Sequence, residues 1–127
     1  MGKVGDLLYK EEVYKIVGSA IEVHKVLGRG FLESVYHEAL EIEFSLREIP
    51  FESRKQLNLS YKENLLQQTY QADYLAYDKI IVEIKALDSL IPQHQAQVIN
   101  YLKATKLRLG ILINFGEKSL VWQRIIL

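Results

Sequence analysis

No cysteine occurs in this chain of 127 residues. Disulfides, thiolate zinc sites, iron–sulfur clusters and a cysteine nucleophile are excluded together. Such a chain suits a reducing compartment, and a cytoplasmic location is the expectation. An excess of charge of one sign is also missing: 16 basic residues meet 16 acidic ones, for a formal net charge of zero. No broad field then draws the protein to duplex nucleic acid or to an anionic membrane. No segment approaches the ~18 consecutive apolar residues of a membrane span, and Met1 to Lys10 holds no apolar core of signal-peptide length. No membrane partner is expected. Proline stands only at Pro50 and Pro92, and no repeat, linker or low-complexity stretch interrupts the chain. At this length one domain over 1–127 is the default.

What is present is an apolar fraction of 49%, enough for a real core. From about Leu7 to Leu27 the spacing predicts a helix, with Val13, Ile16, Val17, Ala20, Ile21 and Leu27 on one stripe. Gly28 is a natural stop, and Gly28-Arg29-Gly30 a connector. A second helix is predicted over Phe31 to Glu48, with Leu32, Val35, Tyr36, Ala39, Leu40 and Leu46 as its buried face. Strands follow over Phe51–Tyr61, Leu65–Tyr77 and Ile80–Leu87, with Lys62-Glu63-Asn64 as the first turn. Pro92 opens a third helix running to about Thr105. Two last strands cover Leu107–Phe115 and Leu120–Ile126. The order is ααβββαββ, and the strand–helix–strand step from Ile80 to Asn114 implies a parallel crossover.

The most informative segment is Ile80-Ile81-Val82-Glu83-Ile84-Lys85. It is too apolar to be other than buried, yet Glu83 and Lys85 share one face while Val82 and Ile84 take the other. Buried charge is costly unless it is paired or bound to metal. Asp73 lies in the preceding strand. If it opposes Glu83, the residue numbers across the hairpin sum to 156, and Tyr77-Asp78-Lys79 becomes a three-residue loop with Asp78 at its centre. Opposed side chains have Cβ atoms ~5 Å apart. Two carboxylates so close repel unless a hard cation lies between them, and Mg²⁺ commonly takes one or two protein carboxylates plus water and phosphate. Lys85, on the same face, adds a cationic group for a water or a phosphate. The chemistry implied is metal-assisted phosphodiester hydrolysis. The plainer alternative is a same-face Glu83–Lys85 ion pair on a half-exposed strand, with Asp73 incidental. The apolar neighbours Ile80, Ile81, Val82 and Ile84 argue against a solvated strand.

Asp73 followed by Glu83-Ile84-Lys85 resembles the D…(D/E)-x-K signature of the PD-(D/E)XK nuclease superfamily. Gly30-Phe31-Leu32-Glu33-Ser34-Val35-Tyr36 is similar to the G-x-x-E-x-x-Y motif of a small bacterial family grouped with those nucleases. The segments from Val23 to Glu33 and from Tyr101 to Thr105 are also family-like, so the resemblance spans about Val13 to Trp122. It implies an α/β fold of the restriction-endonuclease-like kind, a mixed α+β sheet flanked by helices. It implies Mg²⁺ or Mn²⁺ as cofactor, held by Glu33, Asp73 and Glu83, with Lys85 in catalysis. Gln97 and Tyr101, four apart on the third helix, resemble the Q-x-x-x-Y motif of one nuclease branch, and His94 shares their side. The implied partner is nucleic acid, with DNA preferred over RNA. A domain this small covers little substrate, which makes a homodimer reasonable.

Two departures stand out. Ala72 replaces the proline of the superfamily name, and Gln71 stands where related sequences often carry arginine. His24 falls on the apolar stripe of the first helix, as a satisfied core histidine or as a group lining the site. Lys103, Lys106 and Arg108 form a modest basic cluster, more in keeping with a solvated surface than with a nucleic-acid track. The competing functional reading is a noncatalytic member that uses this fold as a protein- or nucleic-acid-interaction module.

Overall fold

The computed structural model describes residues 7–127. Residues 1–6, part of the amino-terminal stretch considered above, lie outside the described residues. The elements are α1 (Lys10–Leu27), α2 (Glu33–Leu46), β1 (Phe51–Tyr61), β2 (Asn64–Ala76), β3 (Ile80–Lys85), α3 (Pro92–Thr105), β4 (Leu109–Asn114) and β5 (Val121–Ile126). This is the ααβββαββ order expected from periodicity. No helix among the described residues is long and apolar enough to cross a membrane.

The strands form one five-stranded mixed sheet in the order β1-β2-β3-β4-β5. β3 and β4 are parallel, joined by α3, and every other neighbouring pair is antiparallel. One face is covered by α1 and α2. There Val13, Ile16, Val17, Ala20 and Val23 of α1 and Tyr36, Leu40 and Phe44 of α2 pack on Tyr74, Ile80, Val82, Ile84, Ile111 and Ile113. The other face is covered by α3, where Val98, Tyr101 and Leu102 meet Leu57, Ala72, Ile81, Leu112 and Ile125. β3 and β4 have strands on both edges and helices on both faces, so both sides of each strand are largely apolar, with Glu83, Lys85 and Asn114 the exceptions. Full burial of each such side chain is worth about 1.5–3 kcal/mol.

Three expected core positions are exposed. Ile21 is 50% exposed, Leu32 76% and Leu46 73%. Ile21 lies on the flank of the α1 stripe. Leu32 precedes α2 in extended backbone, at φ −64 and ψ 151. Leu46 comes two residues after Phe44 and so points to the opposite side of the helix. β3 ends at Lys85 rather than Leu87.

The β1–β2 hairpin is longer than the rest of the sheet. Only Tyr74, Leu75 and Ala76 of β2 pair with β3, so the distal part of the hairpin extends past its neighbour. Its turn, Lys62-Glu63, has both residues at positive φ, 48 and 68.

Candidate active site

The pairs Tyr74↔Val82, Leu75↔Ile81 and Ala76↔Ile80 set the β2–β3 register. Their residue numbers place Asp73 opposite Glu83, as the loop argument required. Both Tyr77 and Asp78 take positive φ in the three-residue loop, at 55 and 58. Between Asp73 and Glu83 the ladder is replaced by side chains. Asp73 N donates to Glu83 Oε1 at 2.8 Å, and Ile84 N donates to Asp73 Oδ2 at 2.8 Å. Each carboxylate is therefore held by a backbone N–H of, or next to, the other acid's residue.

A slip in strand alternation makes this exchange accessible. Residues two apart on a strand share a face, yet Ala72 packs on the α3 side and Tyr74 on the α1–α2 side. Asp73 sits at the slip. The flanking pairs Ser53↔Tyr74 and Lys55↔Ala72 bracket it, and Arg54, across from it, has a positive φ of 51. The register is the same on either side of this slip, so neither strand carries an extra residue there; the register shift of this hairpin lies further out, between Asn58 and Ser60.

Lys85 Nζ donates to Gln97 Oε1 of α3 at 3.0 Å and lies 3.9 Å from Glu83 Oε2. The loop after Lys85 is clamped by buried Asn114. Its Oδ1 accepts from Leu87 N at 2.9 Å and from Gly116 N at 3.2 Å, and its Nδ2 donates to Leu87 O at 2.9 Å. A Cβ on Gly116 would fall 2.2 Å from Leu87 O, so only glycine fits there. Tyr101, four residues after Gln97, stacks obliquely on Tyr70 with ring centroids 5.3 Å apart.

The electrostatics follow from burial. Glu83, only 4% exposed, has its carboxyl pushed up to about 8, first by burial and then by the charge of Asp73. Tyr101 is raised to about 12 by burial, then by Glu83 and Asp73. Glu33 is raised by burial and by Asp73, while Lys85 pulls it down. Glu33, Asp73, Glu83, Lys85 and Tyr101 share one field.

Glu33 owes its place to the connector before α2. Gly28 and Gly30 have φ 71 and 110, backbone that side chains rarely adopt. Tyr36 Oη donates to Gly28 O at 2.6 Å and accepts from Phe31 N at 3.2 Å, folding the connector back onto the helix. The spacing from Gly30 through Glu33 to Tyr36 thus has a mechanical cause: the glycine turns the chain, the tyrosine locks it, and the acid opens α2. Among the described residues, however, no three acidic or histidine side chains are gathered closely enough to hold a metal ion. Asp73 and Glu83 form a tight pair, and Glu33 reaches them only through space. The pair itself suits a hard cation: the donors are carboxylate oxygens, and Glu83 is driven toward neutrality by burial and then by the charge of Asp73.

The histidines have structural tasks. His24 Nε2 contacts Glu117 O at 2.9 Å and its ring stacks on Phe115 at 6.3 Å, tying α1 to the β4–β5 turn. His94 Nδ1 accepts from Ile91 N at 3.0 Å, capping the start of α3. Gln71, Lys103, Lys106 and Arg108 are exposed. Two groups near the site were not singled out in the sequence. His37, one turn after Glu33, stacks on Tyr74 at 4.5 Å and leaves Nε2 buried without a partner. Tyr70 flanks Tyr101 at the sheet surface. Helical spacing from Glu33 points to His37; no sequence pattern marks Tyr70.

A sheet flanked by helices on both faces, with an acid pair and a lysine at the interrupted β2–β3 ladder, defines a nuclease-like core. The family model of the PD-(D/E)XK nuclease superfamily matches residues 10–125, and the chain belongs to that superfamily. Its members generally use divalent metals and act on nucleic acid. The solved structure of SSO0001 is similar in fold, with a TM-score of 0.57 at 19% identity, covering 93% of this chain and 60% of that one. This chain thus spans about three-fifths of that protein's length. No curated protein matches it.

Proposed function

We propose that this protein hydrolyses phosphodiester bonds in nucleic acid, DNA in preference to RNA, with Mg²⁺ or Mn²⁺, and that it belongs to the GxxExxY branch of the superfamily. The observation that carries the reading is the exchange of carboxylates across β2 and β3 with Lys85 beside it. A purely structural Glu83–Lys85 ion pair does not need a second acid, Asp73, bonded into the backbone beside it.

In this reading Asp73 and Glu83 hold the cation and Glu33 contributes from the start of α2. The ion supplies Lewis acidity and counter-charge to the phosphate. Lys85 orients the attacking water and stabilises charge on the phosphoryl oxygens. Gln97 fixes the Lys85 side chain, and Tyr101 backs the phosphodiester strand. The reaction adds water across one P–O ester bond: the water oxygen goes to phosphorus, one of its protons is lost, and the leaving oxygen takes up a proton.

The test combines calorimetric titration of Mg²⁺ and Mn²⁺ with a cleavage assay on labelled DNA and RNA. Metal binding is expected to vanish in Asp73→Ala, and cleavage to vanish in Lys85→Ala while the fold persists. A chain indifferent to metal, or wild-type cleavage retained by either variant, overturns the reading.

A further inference from the structure

Beside the acid pair lies a groove of about 290 Å³ lined by Tyr70, Gln93, Ala96, Gln97, Asn100 and Tyr101. None of these side chains carries a formal charge, which makes the groove a poor place for a phosphate. Its chemistry is that of a base site. Tyr70 is 36% exposed, and its ring meets Tyr101 at an interplanar angle of 48°, which leaves part of its face open. Gln93 and Asn100 are exposed and present amides, each with donors and an acceptor suited to a base edge.

The groove is continuous with the site. Tyr70 stands three residues before Asp73 on β2, and Gln97 both lines the groove and accepts the hydrogen bond from Lys85 at 3.0 Å. A strand whose phosphate reaches Asp73, Glu83 and Lys85 has its adjoining nucleotide next to Tyr70.

We propose that this groove binds one unpaired nucleobase next to the scissile phosphate, stacked on Tyr70 and read at its edge by Asn100 and Gln93. The substrate class is therefore single-stranded or locally opened nucleic acid. A base within a duplex is stacked on both sides and paired at its edge, and cannot enter. Proteins that bind single strands rely on such aromatic stacking, which tolerates many sequences. The zero net charge agrees, since duplex binding rests on broad phosphate neutralisation. The inference rests on the proposed nuclease reading for the nature of the ligand, but not on turnover.

The experiment measures binding of a single-stranded oligonucleotide carrying 2-aminopurine to the full chain in EDTA. Stacking quenches the 2-aminopurine fluorescence, and a labelled duplex of the same sequence serves as the comparison. The wild type is expected to quench the single strand and to bind it more tightly than the duplex. Tyr70→Ala is expected to weaken binding at least 10-fold and abolish quenching, and Tyr70→Phe to retain both. Asn100→Ala, at an exposed helical position, is expected to narrow the affinity differences among the four bases at one position. Melting curves establish that the variants are folded. Absence of quenching by the wild type, tighter binding to duplex, or unchanged binding by Tyr70→Ala overturns the proposal. Cleavage is scored separately with Mg²⁺ and Mn²⁺. Lack of cleavage with Tyr70-dependent stacking sinks the hydrolase reading alone; cleavage with Tyr70-independent binding sinks the base site alone.

Discussion

The two sides of β3 do different work although both are buried. Toward α1 and α2 the strand presents Ile80, Val82 and Ile84, locked among Tyr36, Phe44, Tyr74 and Phe115 in a dry, aromatic cluster. Toward α3 it presents Ile81 and then Glu83 and Lys85, in a smaller cluster edged by polar groups. The first side accumulates stabilisation. The second contains a carboxylate that resists its own ionisation, a cost the first side offsets. The lesson is that the poorly solvated charge sits on the strand with the most apolar support behind it, where it is affordable.

The largest effect should come from attacking the supporting side. Ile84→Ala leaves a cavity in a cluster where Ile84 is fully buried, and a loss of about 2–5 kcal/mol is expected in urea unfolding. Lys85→Ala, on the opposite side, should shift stability by no more than about 1 kcal/mol, because its ion pair is long at 3.9 Å and its partner is driven toward neutrality. If the proposed hydrolase reading holds, its cost falls on turnover, where removing one transition-state donor typically lowers kcat by about 10²–10³-fold. Equal destabilisation by the two substitutions breaks the division between the faces.

Much of this division was legible in the sequence, for identifiable reasons. Alternation along Ile80–Lys85 separated Val82 and Ile84 from Glu83 and Lys85, and supposing Asp73 opposite Glu83 led to the three-residue loop Tyr77-Asp78-Lys79 that the structure has. Pro92 and the four-residue spacing of Gln97 and Tyr101 placed α3 and its inward side. The slip at Asp73 was not legible. It depends on Arg54 across the hairpin adopting positive φ, and nothing in the residue pattern of an arginine announces that. The exposure of Leu32 and Leu46 was hidden for a related reason: an apolar residue near a helix end scores as core by type, and only the real helix boundary shows that it faces out. Tyr70 was invisible because a tyrosine in an exposed hairpin becomes informative only once α3 is folded against it.

A smaller effect sharpens the comparison through pH. The Glu83 carboxyl binds its proton more tightly in the folded chain, at about 8, than in the unfolded chain. Folding therefore takes up a proton at intermediate pH. The stabilisation is complete below the ordinary carboxylate range and lost as the pH rises through 8. In EDTA the melting temperature is expected to fall by roughly 5 °C or more between pH 5 and 9. Glu83→Gln keeps an oxygen to accept from Asp73 N but removes the titration, so its profile over that range should be flatter. Added Mg²⁺ should raise the wild-type melting temperature at pH 8 and leave the variant nearly unchanged. A wild-type profile that rises with pH breaks the assignment of the unfavourable charge to this face.

The smallest expected effect concerns the place where the two sides meet. Glu33 opens α2, in the layer that supports the sheet, yet it feels Asp73 and Lys85 on the other side. Asp73 sits where the alternation slips, between Ala72 on the α3 side and Tyr74 on the α1–α2 side. Glu33 is exposed as a residue although its carboxyl is partly desolvated, and among the described residues it belongs to no group of three close acids or histidines. Glu33→Gln is therefore expected to weaken Mg²⁺ binding by less than about 10-fold, in the manner of an outer partner, whereas Asp73→Asn, which alters a group bonded into the backbone exchange, should weaken it by more. Calorimetry on the two variants decides the matter. Equal losses mean that α2 moves in when the ion binds and that the site is built from both layers; a loss confined to Asp73→Asn means that the sheet alone holds the ion and that α2 only shapes the field around it.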